Sequence, residues 1–119
     1  MHAIDLTTAF ASFQDRWQPR IATVVNGHAI KIVKVQGDFP WHHHEEADEL
    51  FFVWRGRLRL EFRDHVVELS AGQFCLVPQG VEHRPIADEE VEMLLFEPAE
   101  LVNTGNLVGS DRTAAPKLL

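Results

Sequence analysis

The segment Leu58-Arg59-Leu60-Glu61-Phe62 alternates strictly, with Leu58, Leu60 and Phe62 on one side and Arg57, Arg59, Glu61 and Arg63 on the other. Side chains two apart share a face of an extended chain, so this is the pattern of a half-buried β-strand. Further strand patterns lie on both sides of it. Ile21–Val25 and Ala29–Val35 are rich in β-branched residues and flank Asn26-Gly27, a strong hairpin signal. Leu50–Trp54, Val66–Leu69, Phe74–Val77 and Val91–Glu97 complete the predicted strands, separated by turns at Asp64-His65, Ala71-Gly72 and Pro78-Gln79-Gly80. Short strands with a turn about every ten residues predict an antiparallel sandwich or barrel rather than an α/β fold. A helix over Trp41–Trp54, with Pro40 at its first turn, is the competing reading; the aromatic and β-branched residues at 51–54 favour strand.

Two of these strands, Leu50–Trp54 and Val91–Phe96, are apolar at nearly every position, so both of their faces need cover. The N-terminal arm or a second subunit is expected to provide it. Within that arm, residues 1–20, Ile4, Leu6, Phe10, Phe13 and Trp17 fit an amphipathic helix or an irregular segment, and Pro19 ends either. Residues 21–98 form the predicted β-domain and 99–119 a tail. That tail reads as loop: Asn103-Thr104-Gly105-Asn106 is turn chemistry and Gly109–Leu119 has no periodicity, so it is expected to pack on the surface or fray.

Composition narrows the class. The chain has 119 residues, 45% hydrophobic and 24% charged, as expected of one globular domain. Its net charge of −7 disfavours nucleic-acid binding, and Arg55, Arg57, Arg59 and Arg63 read as a solvated strand face. The single cysteine, Cys75, excludes an intramolecular disulfide and sits in an apolar run as a small buried hydrophobe. No early apolar stretch resembles a signal peptide and no apolar run of about 18 residues is present, so a cytoplasmic chain without a membrane span is expected.

The chemistry concentrates in four residues. His42 and His44, two apart, project together from a strand while His43 projects away. Strict alternation would send Glu49 to the other face, but a turn over Glu45–Asp48 resets the count. His83 would arrive from a separate hairpin after Pro78-Gln79-Gly80. Three imidazoles and one carboxylate suit a divalent transition metal: Mn, Fe, Co, Ni or Zn.

The spacing His42-x-His44-x4-Glu49-x6-Gly56, followed by Gly72-x5-Pro78-x-Gly80-x2-His83, resembles the two motifs of the cupin superfamily. Gly37 corresponds to the glycine preceding the first motif, one residue closer than usual, and Ala87 stands where the second often has Asn. The resemblance implies an all-β double-stranded β-helix, or jelly-roll barrel, with a metal near its centre, and often a homodimer. Asp48 is the rival carboxylate, but only Glu49 keeps six residues before Gly56; His43 is the second-best ligand, and His2, His28 and His65 read as solvated or turn residues. With four protein ligands, an octahedral ion keeps about two open positions for a small-molecule substrate.

An enzyme of dioxygenase or isomerase type is therefore expected, with a non-catalytic metal- or metabolite-binding module as the alternative. The absence of tyrosine argues against the superfamily's deoxysugar epimerases and thiol dioxygenases, and the outward arginines at 57, 59 and 63 argue against a phosphosugar site. Glu45, Glu46 and Glu82 lie near the ligands in sequence, but no catalytic residue is assigned among them. Phe39, Phe51, Val53 and Phe74 are the candidates for the pocket lining.

Overall fold

The computed structural model describes residues 1–119. In chain order it contains α1 (Leu6–Ala11), β1 (Arg20–Val25), β2 (His28–Gly37), β3 (Glu49–Arg55), β4 (Arg57–Phe62), β5 (Val66–Ser70), β6 (Phe74–Val77), β7 (His83–Pro98) and β8 (Lys117–Leu118). The fold is nearly all β, and the strand reading of residues 50–54 holds over the helical one. The β1–β2 hairpin closes through Asn26 and Gly27, both at positive φ, 52° and 79°. That pair of left-handed residues makes a turn whose twist matches the strands it joins.

Strand β7 organises the barrel. Its first residues pair with β4, from Phe62↔His83 to Arg59↔Ile86. Its later residues pair with β2 on one side and β3 on the other. One strand thus runs through both sheets and joins β5-β4 to β6-β3 and β2-β1-β8. The register against β2 shifts between Val35↔Val91 and Gly37↔Ala87, and exposed Asp88–Glu90 occupy the bend. Those acidic residues interrupt the apolar run, which is why the sequence marks only Val91–Glu97 of a strand that begins at His83.

The inward parity is consistent from strand to strand. Val33 and Val35 of β2, Phe51 and Val53 of β3, Leu58 and Leu60 of β4, and Val91, Met93 and Leu95 of β7 share one core. Burial of each such side chain contributes about 1.5–3 kcal/mol. Gly56 separates β3 from β4 at φ 97°; a Cβ there would lie 3.0 Å from the Glu90 carbonyl oxygen and 3.1 Å from Val91 Cγ2. The close approach of the chain to β7 therefore calls for glycine.

On the outer face, α1 covers part of the second apolar surface. Asp5 caps this helix by accepting from the Thr8 amide at 3.1 Å. Ala9, Phe10 and Phe13 pack on Ile32, with Trp54 and Leu94 against them, and Lys34 Nζ donates to the Phe13 carbonyl at 2.7 Å. Beyond the helix the cover ends: Phe74 is 65%, Leu76 52% and Phe96 40% exposed. Phe74 therefore does not line an interior pocket, because it pairs with outward-facing Phe52.

The tail adds to the expectation. It packs on the barrel as loop and turn, and its end adds a strand the sequence did not mark: Lys117–Leu118 pair in parallel with Arg20–Ile21, and Thr104 and Ala114 are buried. No helix is long and apolar enough to cross a membrane.

Candidate metal centre

His42 and His83 face each other across a short antiparallel bridge, with His42 N donating to His83 O at 3.1 Å and His83 N to His42 O at 2.9 Å. Glu49 begins β3 on its inner face, in phase with Phe51 and Val53. The backbone beside His44 is pinned from two directions. Gly80 N donates to His44 O at 2.8 Å, while Asn106 N donates to His43 O at 3.0 Å and Asn106 Oδ1 accepts from His43 N at 2.8 Å. Residues 42–44 are thus set by the β6–β7 loop and by the tail together.

These restraints bring His42, His44, Glu49 and His83 together, all buried, with one donor atom from each lying within 4.8 Å of the others. Nδ1 of His42 lies 3.0 Å from Pro40 O and Nδ1 of His83 lies 2.8 Å from Val81 O. Those contacts select the tautomer with a proton on Nδ1 and leave each Nε2 as a lone-pair donor. Glu49 Oε1 stands 3.3 Å from both His44 Nε2 and His83 Nε2. Yet both ring nitrogens of His44 are buried without a properly oriented hydrogen-bond partner. Buried polar atoms are rarely left so, and a cation shared by this cluster would satisfy Nε2.

The electrostatics favour the ligating forms. Burial, together with the neighbouring His83, pushes His42 down to about 4, so its imidazole is neutral at pH 7. Burial alone would raise the Glu49 carboxyl, but the surrounding Glu97 carboxyl and the His44 and His83 rings outweigh it and hold Glu49 well below the usual carboxylate range. Neutral imidazole and ionised carboxylate are the states that bind a metal. Ligands about 2.1 Å from one ion lie at most about 4.2 Å apart, so the four donors fit after an inward adjustment of a few tenths of an ångström.

A small apolar cavity of about 30 Å³ lies beside His42 and Glu49. Phe39 and Phe51 line it, as expected; Val53 belongs instead to the core behind it. Trp17 from the arm roofs it, its ring 4.7 Å from Phe39 and its indole N–H donating to Gln36 O at 3.1 Å. Asn103 from the tail completes that wall and holds Arg112 O at 2.8 Å.

The remaining candidates lie outside the cluster. His43 turns to Glu45, and Asp48 caps the next loop by accepting from Gln79 N at 2.8 Å. Glu82 pairs with Arg63 on the surface. Cys75 is half-buried and away from the cleft, and burial raises its thiol pKa.

Two residues at the site escaped the sequence reading. Lys31 and Glu97 are fully buried on the inner faces of β2 and β7, joined by a 2.8 Å bond from Nζ to Oε2. Leu50↔Phe96 is the neighbouring pair, so Glu97 stands opposite Glu49 across β3 and β7. Burial raises the Glu97 carboxyl well above its ordinary range, and the negative charge of the facing Glu49 raises it further. A sequence signal existed: Lys31 is in phase with Val33 and Val35, and Glu97 with Leu95 and Met93.

Residues 29–97 match the family described as Cupin domain. A cupin-2 domain protein from Shewanella frigidimarina is 41% identical, with a TM-score of 0.80 over 81% of this chain and 94% of that one. Protein NMB1881 from Neisseria meningitidis is 30% identical, with a TM-score of 0.75 over 82% of this chain and 99% of its own. Among curated relatives, the uncharacterized protein YdbB of Bacillus subtilis is 39% identical over 61 residues. That match spans 50% of this chain and about half, 54%, of YdbB.

Proposed function

The chain belongs to the cupin family, and on that premise we propose that it is a small-molecule enzyme of dioxygenase or isomerase type. Its proposed centre is one divalent metal held by His42, His44, Glu49 and His83. The observation that carries this reading is the convergence of four buried donors beside an apolar cleft. Such an ion, with a charge of about +1 after Glu49, supplies Lewis acidity and a template for a chelating oxygen ligand. The protein's own part is to bind and exclude water. Trp17, Phe39 and Phe51 form the apolar wall beside the ion against which a ligand would lie. The Pro40 and Val81 carbonyls hold the imidazole orientations.

A non-catalytic metal- or metabolite-binding module is the second reading. It is favoured by the lining of the cleft, whose only titratable side chains, His42 and Glu49, are both assigned to the ion. Turnover of a chelating substrate, rather than binding alone, separates the two.

The uncovered outer face around Phe74, Leu76 and Phe96 fits a homodimer in which a second copy buries it. A lone cysteine suits the reducing cytoplasm, which is the location we assign. Elemental analysis of untagged protein tests the centre. Wild type is expected to carry near-stoichiometric first-row metal that is lost in His42→Ala, Glu49→Ala and His83→Ala. Unchanged metal affinity in the reconstituted variants would overturn the assignment.

A further inference from the structure

We propose that Lys31 and Glu97 act as a positioning pair that aims the Glu49 carboxylate at the metal. The inference rests on the metal-centre reading above.

The geometry that carries it is a row of ionisable side chains inside the barrel, on strands whose other inward residues are apolar. Glu49 on β3, Glu97 on β7 and Lys31 on β2 occupy the inner faces of three adjacent strands. The register Ala29↔Glu97 and Lys31↔Leu95 sets Lys31 diagonally across from Glu97. Both members of the pair are 1% exposed.

A buried lysine–carboxyl pair seldom stabilises a fold more than well-packed apolar residues of the same volume. Its presence in this core therefore calls for a role other than stability. Lys31 Nζ supplies that role's fixed point: it donates to Glu97 Oε2 at 2.8 Å, to Leu101 O at 2.9 Å and to Pro98 O at 3.4 Å. One oxygen of Glu97 is thereby fixed. The other, Oε1, is fully buried without a hydrogen-bond partner, on the strand position directly opposite Glu49.

Glu49 is then restrained from behind by Glu97. Its Oε1 is left among His44 Nε2 and His83 Nε2, where the ion would sit. A ligand carboxylate oriented by an outer carboxyl behaves as other outer-shell partners do, and loss of such a partner lowers metal affinity about 10–100-fold. The same lysine ties the start of the tail to the centre, because Pro98 and Leu101 lead directly to the Asn106 contact behind His43.

The test compares wild type with two double variants that remove the buried charge without leaving half of it. Lys31→Met with Glu97→Gln keeps an amide donor facing Glu49. Lys31→Met with Glu97→Leu keeps only volume. Co²⁺ dissociation constants are measured by competition with a chromogenic chelator, together with the Co²⁺ d–d absorption bands and the melting temperature.

The Leu variant is expected to melt near wild type, to bind Co²⁺ about 10–100-fold more weakly and to show shifted bands. The Gln variant is expected to recover most of the affinity and the wild-type spectrum. A folded Leu variant with wild-type affinity and spectrum would overturn the proposal, as would a Gln variant no better than Leu. If the Leu variant does not fold, Lys31→Met alone decides: it frees Glu97 Oε2 without touching Glu49, and an unchanged constant and spectrum sink the idea. Wild-type protein that binds no Co²⁺ at all would instead overturn the metal-centre reading, and this inference with it.

Discussion

Gly105 sits against the back of the histidine segment, and replacing it with alanine tests how far the tail sets the centre. At φ 56° an L-residue is strained, at about 1 kcal/mol. The added Cβ would also overlap the His43 carbonyl oxygen and come within 2.9 Å of the His43 carbonyl carbon and 3.0 Å of His44 Nδ1. Backbone cannot yield as a side chain would, so the tail must withdraw. Withdrawal breaks the bonds from Asn106 N to His43 O and from His43 N to Asn106 Oδ1, each contributing about 1 kcal/mol net. The sum is roughly 3 kcal/mol, a fall in melting temperature on the order of 10 °C for a domain of this size.

Gly109→Ala is the matched control: its φ is 74°, but an added Cβ meets nothing within 4 Å. It should show only the strain, a fall of about 4 °C. Thermal melts followed by circular dichroism measure both variants. Hydrogen exchange at the Asn106 amide reports whether the tail has left. A Gly105→Ala protein that melts within about 2 °C of wild type, with that amide still protected, would refute the argument that the tail braces His44.

Three further outcomes follow from the packing and the charges. In metal-free protein, His42 binds its proton less readily when folded, about 4 against 6.5, so its contribution is complete above about pH 6.5 and is lost as pH falls through about 4. Urea titrations should show roughly 3 kcal/mol lost over that window, and a His42→Gln protein with an equal loss would assign the effect elsewhere. Leu60→Ala, at a fully buried core position, is expected to lower stability by about 2–5 kcal/mol; chemical denaturation checks it, and a loss under about 1 kcal/mol would mean the barrel closes around the cavity. Phe74→Glu should convert a dimer to monomer in sedimentation equilibrium with little change in fold, since Phe74 is outward; an unaltered dimer would move the interface to another face.

What the sequence determined by itself is local. Period-two alternation marked Leu58–Phe62, an Asn-Gly pair closed the first hairpin, and the spacing from His42 to Gly56 and from Gly72 to His83 marked the candidate centre and the family. These features are readable because each depends on residues a few positions apart, where strand pleat and turn geometry act directly. Tertiary structure decided what depends on contacts between distant segments. Phe74 and Phe51 both lie in apolar runs, but only sheet pairing shows that one faces solvent and the other the cleft. The aperiodic tail is ordered by its contacts, as Lys117 meets β1 and Asn106 meets His43. Lys31 and Glu97, 66 residues apart, share the parity of inward residues, but parity alone does not bring them together. Only the adjacency of β2, β7 and β3 places them in the core behind Glu49, because burial and pairing of a charge are properties of the assembled barrel.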